Sequence, residues 1–104
     1  MGMNGLIVLQ PHANRIADGT KTEEYRSRPP PFKYLKQDIY LLSECKILAI
    51  IQIIDYVKFS ETYYIWKIKL VEEYTSPHLY EHPRGAQTWV KDVNYTKTTM
   101  DEFQ

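Results

Sequence analysis

Charged side chains cluster between residues 21 and 26, just after a glycine. Lys21, Glu24 and Arg26 are of the types that bind a nucleotide or cleave RNA. A carboxylate accepts hydrogen bonds from the amino group of a base, and a guanidinium or ammonium group binds phosphate. In RNA cleavage, Lys21 and Glu24 would act as base and acid while Arg26 stabilised the charge developing on the phosphoryl group. The alternative is a solvated edge strand with surface ion pairs, since charged residues are mostly exposed.

The spacing of this segment predicts how a strand would arrange it. Alternation along an extended chain places even-numbered residues on one face and odd-numbered residues on the other. The two faces hold Thr22, Glu24 and Arg26, and Lys21, Glu23 and Tyr25. We therefore expect an ion pair between Glu24 and Arg26 that orders the guanidinium. Neither face is apolar, which is unusual for a strand inside a small domain.

The elements that position this segment follow from periodicity along the chain. Apolar runs and alternation predict strands over residues 6–9, 21–26, 38–43, 47–59, 64–71 and 87–93, with a bend or bulge in 47–59. Pro11 and the apolar spacing after it predict a short helix over 12–18, which Gly19 ends. Pro77, Pro83 and Gly85 predict a loop over 76–85. The polar tail, 94–104, is expected to fray.

The composition narrows the classes of function. The chain has 104 residues, 43% hydrophobic and 25% charged, which is typical of one globular domain. Its 13 basic and 13 acidic residues cancel, which argues against a non-specific binder of duplex DNA but allows a pocket for one nucleotide. The single cysteine, Cys45, excludes an internal disulfide, so we expect a reduced, cytoplasmic setting. No apolar run predicts a membrane span or a signal peptide.

The order of these features resembles the ASCH domain, a relative of the PUA domains. The resemblance rests on a strand, a Gln-Pro pair and a short helix, followed by the segment G-x-K-T-x-E-x-R that ends at Arg26. Near the C-terminus, Pro77-His78-Leu79 and Gln87-Thr88-Trp89-Val90 resemble the closing elements of small phage and bacterial members. The resemblance covers nearly the whole chain.

The resemblance implies a mainly β (α+β) fold, a PUA-like small β-barrel of five to six strands with one or two short helices. Alternation alone does not distinguish an open sheet from a closed barrel. The implied unit is a single domain, 1–104, with a flexible tail over 95–104. The implied function is an RNA- or nucleotide-binding module with no cofactor and no metal, whose cleft lies between residues 19–26, the Pro29 loop and residues 87–90. The expected ligand contacts are Gln10, Lys21, Thr22, Glu24, Tyr25, Arg26, Gln87 and Trp89.

Two alternatives remain open at this point. The first is a hydrolase, because some ASCH proteins cleave RNA and others are 4-acetylcytidine amidohydrolases that use a Lys, a nucleophilic Thr three residues later and a distant Glu. Lys21 matches the Lys, and Lys21 and Glu24 are the candidate catalytic residues. Since Glu24 stands where the amidohydrolases have the Thr, we expect recognition in preference to that reaction. The second alternative is a small regulatory protein that binds another protein.

Three further features of the sequence have both a functional and a purely structural interpretation. Residues 78–82 spell H-x-x-E-H, the inverted zinc-protease motif, but flanking prolines leave no room for the helix that the motif needs. We therefore predict two loop histidines and no metal there. Trp66 is predicted to pack in the core, and Trp89 is a candidate for the pocket. The basic residues Arg28, Lys33 and Lys36 lie around the proline run, either near a phosphate backbone or in a solvated loop.

Overall fold

The computed structural model describes residues 3–98, which are rich in strands. These residues form seven strands, one short α-helix and one 3₁₀ turn, which confirms the mainly β (α+β) class. In chain order the elements are β1 (Gly5–Ile7), α1 (His12–Ala17), β2 (Glu23–Arg26), the 3₁₀ turn (Phe32–Tyr34), β3 (Ile39–Ser43), β4 (Lys46–Ser60), β5 (Tyr63–Glu81), β6 (Trp89–Val90) and β7 (Asn94–Thr98). Within residues 3–98, no helix combines the length and apolar character needed to cross a membrane.

All seven strands belong to one mixed sheet. Six follow the order β2-β5-β4-β3-β1-β6, in line with the five to six strands expected, and β7 pairs with β5 beside that path. The pair β1–β3 is parallel and the other pairs are antiparallel. In the described part of the chain the path does not close on itself, so the sheet is open between β2 and β6.

The long hairpin of β4 and β5 forms the frame of the sheet. The register between these strands shifts at four places, and the first shift lies between Ile47 and Ala49. Such bulges bend a sheet, which confirms the bend predicted within 47–59. The first part of β5 pairs with β2 and its last part pairs with β7. The sheet therefore curves, and its two faces have different environments.

The core consists of two hydrophobic clusters, and the larger one includes buried residues of β5 and α1. Alternation in β5 buries Tyr64, Trp66 and Ile68, while the residues between them are more exposed. Helix α1 adds its apolar positions to the same cluster. Removing these side chains from water supplies the main driving force for folding. The largest fully buried side chains are Leu6, Ile16, Ile39, Leu41, Leu42, Ile47, Ile51, Ile53, Val8 and Val90.

The predicted loop over 76–85 is wrong in its first half. Strand β5 continues through Pro77 to Glu81, because residues 78 and 79 pair with β4 and residues 78–81 pair with β7. Pro77 is tolerated since it lies where the register with β4 jumps from Glu73 to His78, so no ladder bond needs its missing N–H. The loop that remains begins at His82.

Three other predicted boundaries also differ from the structure. Strand β1 ends at Ile7, although the Val8 N–H still donates to Leu42 O at 2.9 Å, and Leu9 is exposed. The strand predicted over 87–93 is limited to Trp89–Val90, because Asp92 has a positive φ of 49° that interrupts the extended chain. Residues 94–98 of the predicted tail form β7, and 99–104 lie outside the described residues.

Candidate functional site

Glu24 and Arg26 form an ion pair on the inner face of β2. The Nε of Arg26 donates to Oε2 of Glu24 at 2.9 Å, and its Nη2 donates to the carbonyl oxygen of Ile7 at 2.9 Å. The side chains are only 21% and 11% exposed, for Arg26 and Glu24 respectively. Two bonds from one planar group fix the orientation of the guanidinium. No protein partner is present for its third nitrogen, Nη1, within residues 3–98.

A stack of three aromatic rings lies beside this ion pair. The guanidinium carbon of Arg26 is 5.6 Å from the ring centre of Trp66. Trp66 lies 6.1 Å from Trp89, and Trp89 lies 4.2 Å from Tyr34, with interplanar angles of 21° and 19°. The Lys33 ammonium is 5.1 Å from the Tyr34 ring. We call Tyr34, Trp66 and Trp89 the aromatic stack; a cation contacts each of its ends.

A cleft of about 350 Å³ opens where the aromatic stack meets the proline loop. Its lining contains two arginines and no acidic residue. Arg28 also fixes one wall, because its carbonyl oxygen accepts a hydrogen bond of 2.9 Å from Trp66 Nε1. The lining residues are Arg26, Ser27, Arg28, Pro29, Pro31, Trp66, Thr88 and Trp89. The cleft thus combines aromatic walls with positive charge, as a nucleotide requires.

The strand predicted from residue 21 begins at Glu23, so Lys21 precedes β2, and it lies with Glu23 and Tyr25 away from the cleft. The Lys21 ammonium is 4.8 Å from the ring centre of Tyr25, which stacks on Tyr63 at 5.8 Å. Hydrogen bonds from Lys67 and then from Tyr25 hold the pKa of Glu23 below its ordinary value. The bond to Glu23 likewise raises the pKa of Tyr25. These residues therefore satisfy their own polar groups, away from the cleft.

The other predicted contacts are also placed outside the cleft lining. The Gln10 side chain accepts from the Asn14 N–H at 3.0 Å and so caps the first turn of α1. Thr22 is exposed, and its carbonyl oxygen extends the β2–β5 ladder by accepting from Ile68 N at 2.8 Å. Gln87 is exposed beside the lining residue Thr88.

One protein-family model matches nearly all of the chain. The family model of the ASCH domain matches residues 6–99. The chain belongs to the ASCH domain family. This family is a PUA-like family of RNA-binding modules. No curated protein matches the chain.

The ASCH segment thus divides its charged residues between two surfaces. Of the eight predicted ligand contacts, Arg26 and Trp89 line the cleft, and Glu24 reaches it through the Arg26 guanidinium. Of the candidate catalytic pair, Lys21 contacts the exposed Tyr25 ring, whereas the buried Glu24 binds Arg26.

Six of the eight lining residues of the ASCH cleft were not among the predicted ligand contacts: Ser27, Arg28, Pro29, Pro31, Trp66 and Thr88. Trp66 was assigned to packing, and its pairing opposite Glu24 in the β2–β5 ladder is what brings it to the cleft. Pro31 and Thr88 supply further parts of the wall. For Thr88 the position next to Trp89 was an available signal. The position of Trp66 depends on strand register, which no local pattern encodes.

The histidines of the H-x-x-E-H motif are not arranged as zinc ligands in this ASCH domain. His78 lies within β5, where the motif's helix cannot form. His82 uses both ring nitrogens, Nδ1 with the Tyr80 hydroxyl at 2.6 Å and Nε2 with Ala86 O at 3.1 Å. Within residues 3–98, no group of three or more His, Cys, Asp or Glu side chains is placed to hold a metal ion.

Proposed function

We propose that this ASCH domain binds RNA by taking one unpaired nucleotide into the cleft between Arg26, the proline loop and Trp89. The observation that carries the proposal is the fixed Arg26 guanidinium over one end of the aromatic stack, with Nη1 left for a ligand. A base stacks on aromatic side chains, and a guanidinium binds a phosphate or a base acceptor. Both groups meet in this cleft.

The size of the cleft favours a single nucleotide. Its volume of about 350 Å³ lies at the low end of the roughly 300–1,000 Å³ typical of small-ligand sites. A duplex presents no free base face, so a base must be unpaired to enter. Arg28 supplies net positive charge locally, since Glu24 offsets the charge of Arg26, although the net charge of the whole chain is zero. Binding is therefore expected to depend on this site and not on a general basic surface.

Titration of the tryptophan fluorescence with short single-stranded RNA tests the proposal. Arg28→Ala removes a charge from the cleft and keeps the carbonyl oxygen that accepts from Trp66, so the fold is preserved. We expect Arg28→Ala and Trp89→Leu each to weaken binding about fivefold or more. Arg84→Ala removes an exposed arginine outside the cleft and serves as the matched control. Equal affinity in all four proteins would reject the cleft as the site.

Hydrolysis of RNA or of 4-acetylcytidine is the competing function. We propose binding without this chemistry, because Glu24 is engaged by Arg26 and Lys21 lies away from the cleft. Incubation of the protein with short RNAs and with acylated cytidines, compared with Lys21→Ala, distinguishes the two functions. Turnover that disappears in Lys21→Ala would establish the enzyme and overturn this part of the proposal. Turnover that persists in the variant would indicate another site or a contaminant.

A further inference from the structure

A second concave surface lies beyond the Lys33 end of the aromatic stack. It is a groove of about 640 Å³ between the 3₁₀ turn and strand β4. Phe32, Lys33 and Lys36 form one side of it, and Ile54 and Asp55 lie on the other. We call this surface the lysine groove. None of the expected contacts of the G-x-K-T-x-E-x-R segment lines it.

The lysine groove has a net positive charge that no ion pair neutralises in the described part of the chain. Lys33 and Lys36 take part in no ion pair in the described part of the chain. Asp55 is the acidic residue of the lining, and its Oδ1 accepts a hydrogen bond from the Tyr56 N–H at 2.8 Å. The groove therefore keeps a net positive charge that matches a phosphate backbone.

Phe32 presents an aromatic ring at the edge of this groove. It is 89% exposed, the largest exposure among the big hydrophobic residues that are exposed in the described chain. Its backbone is nevertheless held, because Tyr34 N donates to Pro31 O and Leu35 N donates to Phe32 O. The following Lys36 N–H donates to Ile53 O at 2.8 Å, which ties the turn to β4. The backbone that carries the exposed ring is thus held by hydrogen bonds.

Two observations place the lysine groove next to the cleft. Pro31 lines the cleft and the next residue, Phe32, lines the groove. In addition, Lys33 contacts Tyr34, which stacks on Trp89 of the cleft. Residues 31 and 32 and the aromatic stack therefore connect the walls of the two surfaces.

We propose that the ligand is a single strand of RNA that occupies the cleft and the lysine groove together, not a free nucleotide. This inference rests on the proposed function. A base next to the bound one stacks on Phe32, and the backbone phosphates lie against Lys33 and Lys36. Single-stranded RNA fits because stacking on an exposed ring needs an unpaired base face, whereas a duplex hides it.

The test compares a short single-stranded RNA with a mixture of the four nucleoside monophosphates. We expect Phe32→Ala to weaken RNA binding about fivefold or more and to leave monophosphate binding unchanged. Phe59→Ala, which removes another exposed ring far along the hairpin, is its matched control. The double variant Lys33→Ala/Lys36→Ala should weaken RNA binding at low salt. It should also lower the salt slope by about 1.4, since each phosphate contact on a single strand contributes about 0.7.

The outcomes separate this inference from the proposed function. Lys69→Ala/Lys91→Ala removes two exposed lysines elsewhere and should keep the salt slope. If the cleft variants weaken RNA binding and the groove variants do not, the inference is overturned and the cleft stands. If no cleft variant changes RNA affinity, both fail. Self-association that depends on Phe32, seen by sedimentation with unchanged RNA affinity, would assign the groove to a second copy and overturn the inference.

Discussion

Arg26 donates a hydrogen bond to the carbonyl oxygen of Ile7 at 2.9 Å, which joins the end strand β2 to β1 across the open side of the sheet. The ladder itself leaves β2 and β6 unpaired with each other among residues 3–98. The contact between Trp66 and Trp89 spans the same opening. Side chains thus complete the barrel-like shape, and the candidate cleft lies along the line where they do so.

The first prediction concerns the stability supplied by this side-chain closure. Arg26→Ala leaves the largely buried Glu24 carboxylate and the Ile7 carbonyl oxygen without this donor. Hydrogen bonds to charged groups contribute about 1.5–3 kcal/mol each, so we expect the free energy of unfolding to fall by about 2–4 kcal/mol. Urea denaturation followed by circular dichroism measures the change.

Two further variants serve as controls for Arg26→Ala. Lys58→Ala breaks an exposed ion pair with Glu61 and should lower the free energy of unfolding by less than about 0.5 kcal/mol. Adding Glu24→Gln to Arg26→Ala removes the unpaired charge and should recover part of the loss. A loss from Arg26→Ala no larger than that from Lys58→Ala would show that Arg26 does not close the sheet.

The sequence predicted the local arrangement of the site better than its long-range assembly. Alternation placed Glu24 and Arg26 on one face and predicted their ion pair, and β2 shows both. The alternation of side chains along a strand depends only on neighbouring residues, so it can be predicted without knowing the fold.

The predictions that were wrong concern residues whose pairing partners are far away in the sequence. Trp66 reaches the cleft because β2 and β5 pair in one register, and a shift by one residue would turn it to the other face. Residues 77–81 carry loop signals but become strand because β4 and β7 pair with them. Pairing between distant segments thus overrode local propensity, which a single sequence does not reveal.

The second prediction concerns the tight contact at Gly5 in β1. A Cβ at this position would lie 2.5 Å from Leu42 Cδ1 and 3.0 Å from Val93 Cγ2, both in the core. Gly5→Ala should therefore lower the free energy of unfolding by about 1–3 kcal/mol through overpacking. Thermal and urea denaturation measure this. The double variant with Leu42→Val should be more stable than Gly5→Ala alone, and additive losses would contradict the proposed clash.

The third prediction is that the stability of the fold depends on pH in the acid range, because of the bond between Glu23 and Lys67. The hydrogen bond from Lys67, with a second from Tyr25, lowers the folded-state pKa of Glu23 below its ordinary 4.5. The sign follows from linkage: this stabilisation is present above about pH 4.5 and is lost as the pH falls through the folded pKa. The difference in Tm between wild type and Glu23→Gln should therefore shrink from pH 7 to pH 3. Lys67→Gln removes the same bond and should show the same trend; a constant difference would refute the linkage.

The fourth prediction is that the stability of the fold depends on pH in the alkaline range, because of Tyr80. Burial, with a smaller contribution from Cys45, raises the pKa of the Tyr80 hydroxyl to about 12 from 10.0. Because the folded pKa is the higher one, the stabilisation is full below about pH 10 and is lost as the pH rises through about 12. Tyr80→Phe loses the bond to His82 Nδ1, so at pH 8 it should be less stable by about 1 kcal/mol.

Between pH 9 and pH 12 the wild type should lose stability faster than Tyr80→Phe, since only the wild type carries the buried hydroxyl at this position. Other tyrosines and lysines also titrate in this range, but they are common to both proteins, and the difference in the free energy of unfolding isolates Tyr80. Urea denaturation at several alkaline pH values gives that difference. Its narrowing with pH would show that the hydroxyl is kept neutral beside His82, and a constant gap would mean that Tyr80 ionises as readily in the folded as in the unfolded chain.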